Sequence, residues 1–237
     1  MSKLVYLELL KIKRSYINLF LILSIFIPIL FIVIQYVISK EDTTFFSVIS
    51  KNTSTISVTI FSMIIILATY LIAREYKENT LTYLFVTPVS RTKLLLSKLL
   101  LLLLMIVLLE LITFGLLALI HLFLGDFTLA LASRLFDVWW ISSLMFFLLT
   151  PVVTYIVLLR KDFVPSLLIS LAGFIFTFPF VYRDFYYFFP HLIPMVTVTN
   201  YLENDVSVTS NGMPLLIMLA VFVVFLFLSI TKINRKG

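Results

Sequence analysis

Six apolar runs of roughly twenty residues, each enough to cross a bilayer core of ~30 Å, punctuate the chain at 17–38, 55–73, 99–124, 136–159, 163–181 and 213–231. They are too long for the buried helices of a soluble domain and lack the residue-by-residue alternation of barrel strands. Pro28, Pro151, Pro165 and Pro179 fall inside or near the ends of these runs, where neighbouring helices can re-satisfy the backbone. The pattern predicts an all-α integral membrane protein with six transmembrane helices, folded as a single transmembrane domain over 1–237.

The segments between the runs are uneven. Ahead of the first, within 1–16, Leu4, Leu7, Leu10 and Lys11 follow helical spacing, and Lys11, Lys13 and Arg14 crowd the start of the run. This reads as an interfacial helix on the inner leaflet or as a plain block of positive charge. Residues 35–44 offer no small-residue cleavage site, so no cleaved signal peptide is expected. In the loop 74–98, Leu81, Leu84 and Phe85 stand at i, i+3 and i+4 and share one face of a short helix. Pro88 ends that helix, because the residue before proline avoids the helical region. Such an edge either docks in a partner's groove or lies on the membrane surface. The segment 182–212 is rich in Tyr and Phe and broken by Pro190 and Pro194. Part of it suits an aromatic belt, and the apolar stretch 188–198 is too short to span, which predicts a re-entrant or interfacial hairpin before the sixth span, the alternative being a plain lipid-facing loop.

Composition removes most other classes. Hydrophobic residues make up 62% and charged residues 13%, about half the ~25% charge of a soluble domain, so a soluble enzyme, a nucleic-acid binder and a disordered chain are excluded. There is no cysteine, only five glycines, and no G-x-x-x-x-G-K-[ST] string, so this sequence carries no phosphate-binding loop of its own. The net charge of +6 matters through its distribution. With the N-terminus inside, all the Lys and Arg fall inside except Lys40, Lys51, Arg134 and Arg183. Seven acids, Glu41, Asp42, Asp126, Asp137, Asp184, Glu203 and Asp205, fall outside. The positive-inside rule therefore puts both termini in the cytoplasm of a cell whose cytoplasmic membrane holds the protein.

Glu110 is the ionisable residue deep in a span. His121, eleven residues on, lies about 20° from the same helical face, and Thr113 is near that stripe. The three form either a polar pathway lining or a hydrogen-bonded helix contact. Ser166, Ser170 and Gly173 share a small-residue face suited to close packing. Arg134, Asp137, Trp139 and Trp140 suit an outer-interface anchor. No metal site is expected, since the histidines are only His121 and His191 and no H-E-x-x-H occurs. No catalytic residue is expected either. A lone Glu110 lacks a second acid, and His121 lacks a glycine-flanked serine.

The run Ala73, Arg74, Glu75, Tyr76, Lys77, Glu78, Asn79, Thr80, Leu81, continued by Pro88, Val89, Ser90, Arg91, Thr92 and Lys93 up to Lys98, resembles the first cytoplasmic loop of ABC-2 type transporter permeases. The likeness is to the bacitracin and lantibiotic-immunity branch and to exporters of cytolytic peptides. Where that family has a Glu-x-Gly-Thr spacing, Asn79 precedes Thr80 here; asparagine also tolerates a left-handed turn. The resemblance implies that Glu75, Glu78, Asn79, Thr80, Leu81, Leu84, Phe85, Pro88 and Arg91 couple the chain to a separate ATPase. It further implies two ATPase chains holding ATP and magnesium, a second permease copy or paralogue, and a peptide-like or hydrophobic cargo. The chain itself would bind no cofactor. The alternatives are a channel or secondary transporter outside this family, or a sensor or immunity anchor that moves nothing.

Overall fold

A computed structural model describes residues 2–13, 15–39, 44–77, 90–124, 128–181, 183, 186–204 and 212–234. Nine α-helices lie among the described residues: α1 Ser2–Lys13, α2 Ile17–Ile38, α3 Phe45–Lys51, α4 Thr53–Lys77, α5 Arg91–Phe123, α6 Leu129–Arg160, α7 Phe163–Thr177, α8 Ile193–Asn204 and α9 Met213–Asn234. Short 3-10 turns occupy Phe178–Phe180 and Tyr186–Phe188, and there is no strand among the described residues. Among the described residues, six helical stretches are long and apolar enough to cross a membrane.

Polar caps set several helix starts, because the first turn of a helix leaves N–H groups without partners. Thr44 accepts from Ser47 N, Ser90 from Lys93 N, Thr128 from Leu131 N and Asp162 from Phe163 N. Lys161 closes α6 in the left-handed region, at φ 59°. Pro28 in α2 and Pro151 in α6 are accommodated inside helices.

The bundle has an inner pair and an outer ring. In α4 and α6, 72% and 67% of the apolar window is buried inside the chain, against 28% in α2 and 17% in both the α7 stretch and α9. Ile64, Ile65, Leu67 and Ala68 on α4 and Met145, Phe146 and Leu149 on α6 are all buried in this centre. The outer helices turn Phe31, Leu168, Val223 and Phe227 outward, as helices solvated by lipid do.

Helix bounds differ from the expected spans in a useful way. The apolar runs end at 73 and restart at 99, yet α4 continues through Lys77 and α5 starts at Arg91. Glu75 and Arg91 therefore sit on helices rather than in a loop. Charges beyond the bilayer do not break a helix; the cap at Ser90 is what sets the start of α5. Its 33 residues make a rod of about 50 Å, longer than the bilayer core.

Two short helices pack against the bundle at the end away from α1. The sequence reading missed α3, whose Phe45 and Ile49 are fully buried. In the segment expected as a hairpin, α8 buries Ile193, Met195 and Val198 and packs on α3, α4 and α6. Tyr201 Oη donates to Asp137 at 2.8 Å, tying α8 to α6. Of the small-residue face on α7, Ser166 and Ser170 are buried. Gly173 is exposed and no neighbour approaches where its Cβ would be, so it makes no close helix contact.

Candidate functional site

The charges at the end of the bundle that carries α1 converge where α1, α4 and α5 meet. On α1, Val5, Glu8 and Ile12 recur at i, i+3 and i+7 and are buried, whereas Tyr6, Leu7 and Leu10 face outward. The expected stripe of Leu4, Leu7 and Leu10 is thus not the docking face. The inward face belongs to the turn that carries the acid, because an acid there finds a partner that leucine cannot.

That partner is Lys98, two turns into α5 and 2% exposed. Its Nζ lies 3.1 Å from Glu8 Oε2 and 2.9 Å from Glu75 Oε1, and donates to the Leu71 carbonyl at 2.6 Å. Lys11 Nζ, on the water side, reaches Glu8 Oε1 at 2.6 Å and Glu75 Oε1 at 3.8 Å. Two carboxylates and two ammonium groups leave no net charge, which is the condition for burying them. Burial pushes the Glu8 carboxyl up, but Lys98 and Lys11 outweigh it and hold the group below the usual carboxylate range. A depressed carboxyl stabilises the fold above its ordinary value, and that contribution fades as pH falls through the lowered one. A nitroxide on Tyr6→Cys in this cysteine-free chain should therefore keep its mobility unchanged down to about pH 5. It should loosen only in stronger acid. Loosening that begins near neutral pH would contradict this charge arrangement.

Two arginines extend the lock. Arg74 Nη1 donates to Tyr70 Oη at 2.9 Å and to the Lys11 carbonyl at 3.4 Å, near the C-terminus of α1. Arg91 Nη1 donates to the Ile233 carbonyl at 3.2 Å, in the last turn of α9, where the helix dipole favours a cation. Residues 78–89 are therefore bracketed by two helices whose ends are fastened to α1 on one side and to α9 on the other. Of the residues expected in coupling, Glu75 and Arg91 join this arrangement. Glu78, Asn79, Thr80, Leu81, Leu84, Phe85 and Pro88 lie outside the described residues. Glu8 was not singled out from sequence, and Lys11 and Lys98 entered only as part of a basic cluster and as the end of the family motif. The available signal was an acid on the i, i+3, i+7 face of a short basic helix.

The intramembrane residues do not come together. Glu110, fully buried on α5, accepts through Oε2 from Ser142 and Ser143 on α6, the latter at 2.8 Å. One turn away, Trp139 Nε1 donates to the Val107 carbonyl at 3.1 Å, so Trp139 turns inward while Trp140 stays exposed. Thr113 bonds back to its own helix at Leu109, at 2.9 Å. His121 packs edge-on against Phe45 of α3, ring centroids 5.7 Å apart. Glu110 is thus part of an α5–α6 seam. Glu110→Gln keeps an acceptor for both serines and should leave stability almost unchanged. Glu110→Leu should cost about 1 kcal/mol, since hydrogen bonds between membrane helices average about 0.6 kcal/mol. Thermal unfolding of the two variants in one detergent checks this; a larger loss for Gln than for Leu would refute it.

A cleft of about 320 Å³ opens between α4, α6, α7 and α9. Phe61 stacks there on His191 at 6.0 Å, with the His191 ring in turn bonded to Thr177. Burial holds His191 down to about 4, so the ring is neutral at physiological pH.

Residues 4–179 match the family described as "ABC-2 family transporter protein". Over 110 residues, 45% of this chain and 52% of the relative, the sequence is 33% identical to the bacitracin transport permease protein BCRB of Bacillus licheniformis. The chain spans about half the length of the curated relative it matches.

Proposed function

Since this chain belongs to the ABC-2 family of transporters, a family of membrane permeases, we propose that it is the permease subunit of an ATP-driven exporter whose ATPase is a separate pair of chains. The bracketing of residues 78–89 by α4 and α5 supports this reading best. A force applied to that loop by a partner has two stiff routes into the membrane, and the buried Glu8, Lys98 and Glu75 group forces α1 to move with them. On this reading the basic end faces the cytoplasm of the cell membrane, where ATP is found. Leu81 and Phe85 seat on the ATPase.

A second permease copy or a paralogue completes the pathway, because among the described residues α4 and α6 fill the centre of the bundle. The cargo is an amphipathic or antimicrobial peptide, or a hydrophobic drug, taken from the membrane or the cytoplasm. The similarity to a bacitracin transport permease favours the peptide. The chain contributes no nucleotide chemistry: it couples, and ATP with magnesium stays on the partner.

Affinity purification in mild detergent tests the assignment. A partner bearing a phosphate-binding loop should co-purify with the native chain and be lost with Leu81→Asp combined with Phe85→Asp. Recovery of the chain alone in several mild detergents would overturn it in favour of a channel or secondary transporter. Recovery of the ATPase without ATP-dependent export in vesicles would leave a sensor or immunity anchor.

A further inference from the structure

At the basic end a second cleft, of about 700 Å³, opens where the α1–α2 junction, the last turns of α4 and the start of α7 meet. Its volume falls in the range of small-ligand sites. Tyr16, Tyr70, Arg74, Lys77, Asp162 and Val164 line it.

Three features of this cleft select an anion. Among the described lining residues Arg74 and Lys77 supply two cations against one acid, Asp162, and that acid is engaged as the cap of α7, accepting from Phe163 N at 2.6 Å. The Arg74 guanidinium is set in place by the Tyr70 hydroxyl and lies 5.7 Å from the centre of that ring. Lys77 is exposed and has no acidic partner among the described residues. The hydroxyls of Tyr16 and Tyr70 add hydrogen-bond donors, and a guanidinium beside an ammonium is a common pairing for phosphate.

What surrounds the cleft indicates where the anion comes from. All its walls are helix ends at the limit of apolar spans, which places it at headgroup depth. One turn deeper, Phe20 on α2 and Leu168 on α7 are 47% and 60% exposed, each four residues on from a lining residue and so on the same helical face. An apolar track thus continues from the charged mouth into the hydrocarbon. Ligands with a phosphate on one end and chains on the other fit both parts, and basic pockets between membrane helices hold such headgroups.

We propose that this cleft binds a phosphate group, that of an anionic phospholipid in the surrounding leaflet, with its chains along α2 and α7. The site shares Arg74 with the fastening of α1, and it stands whether or not the chain couples to an ATPase.

Native mass spectrometry of the full-length chain in mild detergent tests it, with short-chain phosphatidylglycerol, phosphatidylcholine and inorganic phosphate as probes. One phosphatidylglycerol should be retained at least about fivefold more tightly than phosphatidylcholine. Lys77→Gln should weaken it about fivefold, the share of one cation near the surface. Lys232→Gln, a charge at the same end but outside the cleft, should change nothing. Arg74→Gln should weaken it too, but Arg74 also holds α1, so exposed Lys77 is the deciding position. Inorganic phosphate that displaces the lipid, with the same Lys77 dependence, keeps the phosphate site and assigns it to a soluble ester. Equal retention of both lipids, or equal losses in Lys77→Gln and Lys232→Gln, would overturn the proposal.

Discussion

Lys98→Met should detach α1 from the bundle. The substitution removes the fully buried cation that touches both carboxylates, and leaves Glu8 and Glu75 beside the part-exposed Lys11. Stranding a buried charge in this way costs about 3–5 kcal/mol. The chain can escape part of that cost by taking up a proton, or by letting α1 swing out so that Glu8 reaches water. The second route is open because α1 has an exposed apolar face, Tyr6, Leu7 and Leu10, that can remain at the interface without the bundle. With no native cysteine to interfere, a single Val5→Cys reports the swing, since Val5 is 8% exposed. Its maleimide labelling should accelerate about a hundredfold in Lys98→Met, the factor that roughly 3 kcal/mol implies. Adding Glu8→Leu should restore much of the protection, because it removes the charge that Lys98→Met orphans. Labelling that changes less than threefold would mean that apolar contacts of Val5 and Ile12 hold α1 on their own.

The second large effect concerns the rod rather than the lock. On the proposed exporter reading, Leu96→Pro should abolish ATP-driven transport while leaving the partner ATPase bound. Leu96 lies five residues past the start of α5, between the bracketed loop and the membrane, and is 36% exposed. Proline there removes the backbone bond to Thr92 and collides with that residue's carbonyl, at a cost of about 3 kcal/mol and a kink. The contacts of α5 deeper in the bundle are untouched, so the spans should still assemble. Motion of the loop would then bend the joint instead of displacing α5. Leu96→Ala, which keeps the helix, should transport normally. The measurement is cargo moved per ATP hydrolysed in reconstituted vesicles: the ratio should fall at least tenfold for Pro and stay within twofold for Ala. A normal ratio in Leu96→Pro would show that α5 is not the transmitting element.

Both effects concern parts of the molecule that were unequally legible in the sequence. The stiffness of α5 was half legible. Its apolar core at 99–124 identifies a span, but the extension back to Arg91 depends on the Ser90 cap, a single side-chain bond that hydropathy does not register. The fastening of α1 was hardly legible. Glu8 and Lys98 are ninety positions apart in sequence, and neither has a local partner pattern beyond the Glu8–Lys11 pair. Leu4, Leu7 and Leu10 gave the more regular stripe, yet the docking face is the adjacent one. α3 went unread because Phe45 and Ile49 lie in a stretch too short to produce a hydropathy signal, although they are among the most deeply buried residues.

Sequence alone determined the solvent of this protein, the number of its long apolar helices, the uneven placement of its positive charge and the family motif around residues 74–98. Those are sums over neighbouring residues, and transfer of apolar side chains from water to lipid is nearly additive along a chain. Only the tertiary structure decided that α4 and α6 form the centre, which face of α1 turns inward, and which charges meet. In lipid every span is apolar on all sides, so hydropathy does not distinguish a buried face from an exposed one. The choice falls to a few polar contacts, such as Glu8 with Lys98 and Glu110 with Ser142 and Ser143, made between residues that the sequence keeps far apart.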